Sequence, residues 1–95
     1  MIQSFADPDS QAVFEQRRPR RLSADVAKVA FRKLVQLHTV PSLQDLRVPP
    51  GNRLEKLVGD RAGQYSIRVN DQFRICFRWL DGNAFDVEVT DYYGA

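Results

Sequence analysis

The fold is decided by residues 64–90, QYSIRVNDQFRICFRWLDGNAFDVEVT, where apolar and polar side chains alternate along three successive segments. The first segment covers residues 64–69, the second covers 73–79 and the third covers 85–90. Asn70-Asp71 supplies a turn between the first two, and Asp81-Gly82 or Gly82-Asn83 supplies a tight turn before the third. Because a period of two is that of a half-buried strand, this stretch predicts an antiparallel meander.

The two faces of the predicted sheet differ sharply in chemistry. One face is apolar, and we expect its aromatic residues to form the core rather than a surface for stacking bases: Phe73, Phe77, Trp79 and Phe85. The other face carries Arg68, Arg74 and Arg78. Charges of one sign on neighbouring strands repel each other, so they need compensation by the acids Asp86 and Glu88 or by a bound phosphate backbone.

The first half of the chain has the period of helices. Ser23 is a good N-cap, and the apolar positions that follow predict a helix from Ala24 to about His38. A shorter helix is predicted from Asp9 to Gln16, preceded by a short strand over residues 2–5. The VPPGN turn at residues 48–52 separates the helices from a strand predicted at residues 54–58. The sequence therefore predicts a single α+β domain over residues 1–95, with N-terminal helices packed on one face of an antiparallel sheet.

Composition limits the classes of function. The chain has 95 residues, of which 43% are hydrophobic and 27% charged, as is typical of one globular domain. We see no apolar run long enough to span a membrane and no secretory signal, and the lone Cys76 fits a reducing compartment, so we expect a cytoplasmic protein. One cysteine and one histidine argue against a zinc site, and we expect no metal and no cofactor.

The charges are strongly polarised along the chain. Residues 17–33 contain seven basic side chains against one acidic one, whereas residues 81–95 contain four acids and no base. A solvated turn is the ordinary explanation of such a basic run. The additional arginines of the sheet favour a polyanion partner instead, and four arginines are the candidate contacts to it: Arg17, Arg18, Arg20 and Arg21.

The polar face and the end of the chain together have the chemistry of a metal-free RNA-cleaving site. In such a site the ribose 2′-OH attacks the phosphorus, an acid–base pair moves protons, and cations hold the added negative charge. The candidate residues are Arg74, Arg68 and Arg78 on the sheet, Asp91, Tyr92 and Tyr93 at the end of the chain, and Arg53, Glu55 and Lys56 near the first strand. Unperturbed Asp, Glu and Tyr side chains titrate far from neutral pH, so proton transfer is the weak point of this site. We expect His38 to be structural and Cys76 to be a semi-buried thiol rather than a nucleophile.

Residues 45–79, DLRVPPGNRLEKLVGDRAGQYSIRVNDQFRICFRW, and residues 86–93, DVEVTDYY, resemble the HigB branch of the RelE/ParE toxin superfamily. The resemblance covers essentially the whole chain. It implies a RelE-like fold related to microbial ribonucleases, and a toxin of a bacterial type II toxin–antitoxin system that cleaves translated mRNA on the ribosome without a metal. It also implies a partner, the helix-turn-helix antitoxin HigA, through which operator DNA is bound.

The resemblance assigns site residues position by position. Arg74, after the NDQ turn, matches a site arginine, and Asp91-Tyr92 matches the terminal Asp-Tyr pair of the family. Tyr93 stands where relatives usually have histidine, and Glu55 stands where some members have a second histidine. The proton-transfer groups left to this chain are therefore carboxylates and tyrosines.

Two rival functions remain open at the level of the sequence. One is a ParE-like toxin that inhibits DNA gyrase by binding, which the arginine-rich face argues against. The other is an attenuated toxin that acts mainly as the partner of its antitoxin in operator repression, which the missing histidines favour.

Overall fold

The computed structural model describes residues 1–91, and its elements follow the predicted order of helices and then strands. Two helices, α1 (Pro8–Phe14) and α2 (Ala24–Thr39), precede a four-stranded antiparallel sheet. The strands are β1 (Glu55–Lys56), β2 (Tyr65–Arg68), β3 (Phe73–Leu80) and β4 (Asn83–Asp91), and they lie side by side in that order. The predicted α+β architecture is confirmed.

Both helices begin at side-chain caps. The Asp7 carboxylate accepts a hydrogen bond from the backbone N–H of Ser10 at 2.7 Å, and Ser23 Oγ accepts one from the N–H of Val26 at 3.2 Å. Each cap satisfies a backbone donor that the first helical turn leaves without a partner. The predicted start of α2 is thus confirmed, and the helix ends one residue beyond the predicted His38.

The core lies between α2 and the apolar face of the sheet. Leu34 and Leu37 of α2 are fully buried against the strands, as are Ile75 and Phe77 of β3. Burial of one such side chain contributes about 1.5–3 kcal/mol to folding, so this interface supplies most of the driving force. The helices cover this face of the sheet, and on the opposite face Ser66 and Cys76 are nevertheless fully buried.

The outer edge of β4 is covered by the N-terminal segment. Residues 1–6 run parallel to β4, with isolated bridges from Ile2 to Ala84 and from Phe5 to Val87 in place of the short strand predicted there. Beyond that segment, Ser10 Oγ accepts from the N–H of Val89 at 2.8 Å. Side chains therefore continue the protection of an edge that would otherwise be free to pair with another chain.

A bulge in β4 changes which side chains face the core. Cys76 pairs with Glu88 and Arg78 pairs with Phe85, so β4 has one more residue than β3 between these two pairs. Asp86 accommodates the extra residue with a φ of 52°, in the left-handed region. The prediction that Phe85 belongs to the core face is therefore wrong, because the bulge reverses the alternation and places Phe85 beside Arg78.

The strand predicted over residues 54–58 is shorter, since only Glu55 and Lys56 pair with β2. Before it, the PPGN turn is held by Asn52, which is fully buried. The Asn52 amide donates to Gln36 Oε1 at 2.9 Å and to the carbonyl of Leu46 at 3.1 Å, and its oxygen accepts from Lys33 Nζ. Asn52 thus ties the turn before β1 to helix α2.

None of the helices within residues 1–91 is long and apolar enough to cross a membrane.

Replacing Asn52 tests its role in the turn. We expect Asn52→Ala to lower the free energy of unfolding by about 2 kcal/mol or more, because it leaves a buried carbonyl and the Lys33 ammonium without their partner. Urea unfolding measures the change. Gly51→Ala is the matched control in the same turn, since an added Cβ there meets nothing within 4 Å. Equal stability of the two variants would contradict this assignment.

Candidate active site

The open side of the sheet brings the predicted arginines together. Arg68 of β2 lies directly opposite Arg74 of β3, and Arg78 follows four residues further along β3. We call this surface the arginine face, and it also includes Ser66, Cys76, Phe85, Glu88 and Thr90. Like charges directly opposite each other destabilise a sheet, so their presence requires compensating contacts.

Arg74 is the most firmly held of these arginines. Its Nε donates to Ser66 Oγ at 2.8 Å, its Nη2 donates to the carbonyl of Arg53 at 3.0 Å, and the same nitrogen lies 3.5 Å from Glu55 Oε1. The Arg74 side chain is only 12% exposed. Its guanidinium is thus oriented before any ligand arrives, at the junction of β1, β2 and β3.

The other arginines of this surface also have acidic partners. Arg68 pairs with Asp71, and Arg78 Nε lies 3.4 Å from Asp86 Oδ2. Glu88, the second acid considered in the sequence, pairs instead with Arg61 at 3.0 Å. The acids therefore compensate the arginine face in the free protein, and an incoming phosphate must compete with carboxylates for the same guanidinium groups.

Two residues near this site were missed by sequence reasoning, Arg61 and Lys33. Arg61 lies in the 3₁₀ turn Gly59–Arg61, and its contact to Glu88 spans 27 positions of sequence. Burial lowers the pKa of Lys33, and the charges of Arg32 and Arg68 lower it further. Packing between segments that are distant in the sequence brings each of these residues to its partner. The PPGN motif in the sequence marks the turn that contains Asn52, the hydrogen-bond acceptor of Lys33. Nothing in the sequence marks Lys33 as its partner.

The predicted residues of β1 and its preceding turn are divided between the faces. Glu55 is opposite Ser66 and reaches Arg74, so the structure brings it to the arginine face. Lys56 is opposite Tyr65, whose alternation with Ser66 places this pair on the other side of the sheet. Arg53 contributes its backbone carbonyl to Arg74, while the residue itself is exposed.

The end of β4 approaches the site without placing its acid beside Arg74. Thr90 is the residue opposite Arg74, whereas Asp91 is opposite Phe73. The Asp91 carboxylate accepts a hydrogen bond from Gln72 Nε2 at 3.1 Å. The candidate residues Tyr92 and Tyr93 lie outside the described residues.

The basic cluster at residues 17–21 has two kinds of members. Arg21 donates to the carbonyl of Val89 at 2.7 Å and to Asp9 at 3.0 Å, so it fastens the loop between the helices to β4. Arg17 pairs with Glu15. Arg18 and Arg20 are exposed, and neither forms an ion pair with another residue of the described part of the chain.

His38 has the structural position expected for it. Its Nδ1 accepts a hydrogen bond from the backbone N–H of Ile2 at 3.1 Å, and its ring packs against Phe14 with centroids 5.3 Å apart. This histidine therefore joins α2 to the N-terminal segment, on the covered side of the sheet.

Cys76 is fully buried at the centre of the arginine face. Burial raises the pKa of its thiol from 9.0 to about 11, although the neighbouring charges of Arg61 and Arg74 act in the opposite direction and Glu88 adds to the rise. A thiol that stays protonated at neutral pH is a poor nucleophile. The thiol predicted to be semi-buried is fully buried, because it lies under the Arg61–Glu88 side of the sheet.

Among residues 1–91, no three His, Cys, Asp or Glu side chains form a group that could hold a metal ion. The arrangement instead offers a preoriented guanidinium, a neighbouring carboxylate and a hydroxyl, which are Arg74, Glu55 and Ser66. The guanidinium can bind an anion and stabilise negative charge on it, the carboxylate can accept a proton, and the buried hydroxyl orients the guanidinium.

Comparison with known proteins gives consistent results. A family model described as "RelE-like toxin of type II toxin-antitoxin system HigB" matches residues 3–93. The chain is 40% identical over 87 residues to Toxin HigB-1 of Vibrio cholerae, which covers 90% of this chain and 92% of that protein. It is 31% identical over 94 residues to Endoribonuclease HigB of Proteus vulgaris, covering 98% and 100% of the two chains.

A solved structure has the same fold at much lower identity. A chain of the heterotetrameric YoeB-YefM toxin-antitoxin complex from Staphylococcus aureus matches with a TM-score of 0.59 and 18% identity, covering 98% of each chain. At that identity the likeness shows the fold alone. The RelE-like α+β fold implied by the sequence resemblance is confirmed.

The buried thiol makes a prediction about stability and pH. In the unfolded chain the Cys76 thiol ionises at its ordinary pKa of 9.0, whereas in the folded protein it ionises only near 11. Between these two pH values the unfolded state therefore releases a proton that the folded state keeps, so the contribution of Cys76 to stability is lost as the pH rises. We expect the free energy of unfolding of the wild type to approach, from pH 8 to pH 11, that of a Cys76→Ala variant. Urea unfolding across this range measures the difference, and a difference independent of pH would contradict the prediction.

Proposed function

Since the chain belongs to the HigB-like family of RelE-like toxins of type II toxin–antitoxin systems, we propose that it is an endoribonuclease that cleaves translated mRNA on the ribosome. The relative from Proteus vulgaris is named Endoribonuclease HigB, and this name supports the reaction type. The observation that carries the proposal is the fixed guanidinium of Arg74 on the face of the sheet opposite the helices.

In the proposed reaction the ribose 2′-OH of the substrate attacks the adjacent phosphorus, and the 5′ oxygen of the next nucleotide leaves. No metal takes part. Arg74 holds the phosphate and stabilises the charge that accumulates on its oxygens, because a planar guanidinium matches phosphate with two parallel hydrogen bonds. Since Ser66 and the Arg53 carbonyl already fix this group, little reorganisation is needed when charge develops.

Proton transfer is assigned to the carboxylates and tyrosines around Arg74. Glu55 Oε1 lies 3.5 Å from Nη2 of Arg74, and its side chain is half exposed, so a substrate can reach it. Asp91, Tyr92 and Tyr93 complete the proposed set at the end of the chain. The Asp91 carboxylate accepts a hydrogen bond from Gln72. It can therefore act at Arg74 only after this hydrogen bond breaks or the substrate displaces the carboxylate.

The remaining basic residues are proposed to bind the RNA and the ribosome. Arg68 and Arg78 flank Arg74 on the same face and bind neighbouring phosphates, with Arg53 at the rim. Lys56, on the other side of the sheet, adds only long-range attraction for the RNA. Arg17, Arg18 and Arg20 contact ribosomal RNA, while Arg21 supports the fold. Contacts of this kind depend on salt and little on sequence, so cosedimentation of an Arg18→Ala/Arg20→Ala variant with ribosomes at moderate salt checks this assignment.

We also propose a HigA-like helix-turn-helix antitoxin as the partner of this protein, with operator DNA bound through that antitoxin. The family description names a toxin–antitoxin system, and the similar chain from Staphylococcus aureus is part of a toxin-antitoxin complex.

Replacing Arg74 tests the proposed reaction directly. Arg74→Ala should reduce cleavage of a translated reporter mRNA by about 100- to 1,000-fold, as expected when one oriented charge stabiliser is removed from an active site. Arg74→Lys should also be impaired, because an ammonium group cannot make the two parallel bonds. Primer extension after induction without antitoxin measures the cuts, and the purified protein with mRNA, with and without ribosomes, measures ribosome dependence.

Arg47→Ala, at an exposed arginine of the 3₁₀ turn after α2, is the charge-matched control and should cleave normally. Circular dichroism must show that both Arg74 variants fold. Full cleavage by both variants would mean that the site is misplaced. Growth arrest with intact mRNA and altered plasmid supercoiling would show that the protein inhibits gyrase and is not a nuclease. The absence of any effect on growth would favour an attenuated toxin.

A further inference from the structure

Phe85 is a large aromatic side chain that the core does not use. It is the third residue of β4, and the bulge at Asp86 turns it to the arginine face, where it is partly buried. It is absent from the residues that pack against the hydrophobic core. It also makes no ring contact with any other aromatic residue in the described chain, residues 1–91.

Phe85 lines an open cleft at the end of the arginine face. The cleft has a volume of about 410 Å³ and is lined by Gly63, Arg78, Trp79, Leu80, Phe85 and Asp86. Its size falls within the range of small-molecule binding sites. The lining combines an available aromatic ring with a guanidinium and a carboxylate, and both charged side chains are about half exposed, at 53% and 54%.

Gly63 shapes the wall beside Arg78. It has a φ of +91°, and a Cβ at this position would lie 3.3 Å from Nη1 of Arg78. A side chain here would therefore both strain the backbone and press on the guanidinium. The absence of a side chain at this position leaves room for the guanidinium of Arg78, which is the cross-strand neighbour of Phe85.

From these observations we propose that the cleft is a subsite for a nucleobase of single-stranded RNA, with Phe85 as the stacking surface. The proposal rests on the proposed nuclease function, because it assigns part of the same substrate to a second place on the same face. Unpaired bases stack on aromatic rings and on arginine planes, and Arg78 is the cross-strand neighbour of Phe85. Asp86 provides an acceptor for the amino groups of a base.

The position of the cleft fits a substrate strand that also reaches Arg74. Arg74 and Arg78 are four residues apart on one strand, or about 13 Å at the usual rise per residue, and both lie on the arginine face. A strand whose phosphate is held by Arg74 can therefore place a base beyond the cleavage site against Phe85. The subsite would anchor the RNA without touching the reacting atoms.

The test measures binding of a fluorescein-labelled RNA hexamer to the purified protein by anisotropy, beside an abasic ribose-phosphate hexamer of the same length. Phe85→Ala and Phe85→Leu should each weaken binding of the base-bearing hexamer by about tenfold, within the range for stacking one base. Phe85→Tyr, which keeps the ring, should bind as the wild type does. Binding of the abasic hexamer should be equal in all four proteins, and Val35→Ala, at an exposed position of α2, is the control away from the cleft.

Three results would overturn the subsite. The first is equal binding of the abasic and base-bearing hexamers by the wild type. The second is binding of the base-bearing hexamer by Phe85→Leu with the affinity of the wild type, and the third is an equal loss of both hexamers in the Phe85 variants. Cleavage of reporter mRNA by the same proteins separates this proposal from the function on which it rests. If cleavage is normal and the Phe85 variants bind the hexamer as the wild type does, only the subsite proposal is wrong. If binding depends on the bases and on Phe85 but no cleavage occurs, the proposed nuclease function is wrong and the subsite proposal stands.

Discussion

The guanidinium of Arg74 is the contact on which the organisation of the active face depends. Its hydrogen bonds to Ser66 and to the carbonyl of Arg53, together with Glu55 at 3.5 Å, connect β3 to β2, to the turn before β1 and to β1 itself. The short strand β1 has only two residues paired with β2, so these side-chain contacts add to a weak ladder. On the other side of that turn, buried Asn52 connects the same segment to α2. One arginine thus serves both as the candidate charge stabiliser and as a fastening of the edge of the sheet.

The charge balance of the arginine face explains how such a surface exists without its substrate. Arg68, Arg74 and Arg78 each have a carboxylate partner, and Arg61 adds a fourth pair with Glu88. Exposed ion pairs contribute little to stability, typically about 0–1 kcal/mol each, so a phosphate can replace an exposed carboxylate at small cost. Arg74 is the exception because its side chain is largely buried. The outer arginines, Arg68 and Arg78, can therefore exchange their carboxylates for the phosphates of a bound strand. Arg74 stays fixed, as chemistry at a single phosphate requires.

Much of this could be read from the sequence. Alternation placed Arg68, Arg74 and Arg78 on one face, Ser23 gave the start of α2, and His38 was expected to be structural. The position of Phe85 was predicted wrongly because a bulge on a non-glycine residue, Asp86 at φ 52°, leaves no pattern in the letters. Arg61 and the Lys33–Asn52 contact depend on pairing between distant segments, which periodicity does not report. Asp91 was expected beside the arginines, but its register pairs it with Phe73.

The most direct test of the account is chemical, because attack by the ribose 2′-OH distinguishes this reaction from hydrolysis by water. Cleavage of a ribosome-bound mRNA by the purified protein is first mapped, and the message is then remade with a single 2′-deoxynucleotide on the 5′ side of the cut. We expect the unmodified message to yield a 2′,3′-cyclic phosphate and a 5′ hydroxyl at the cut, and the deoxy-substituted message to remain intact at that position. Undiminished cleavage of the deoxy-substituted message at the same bond would contradict the proposed mechanism.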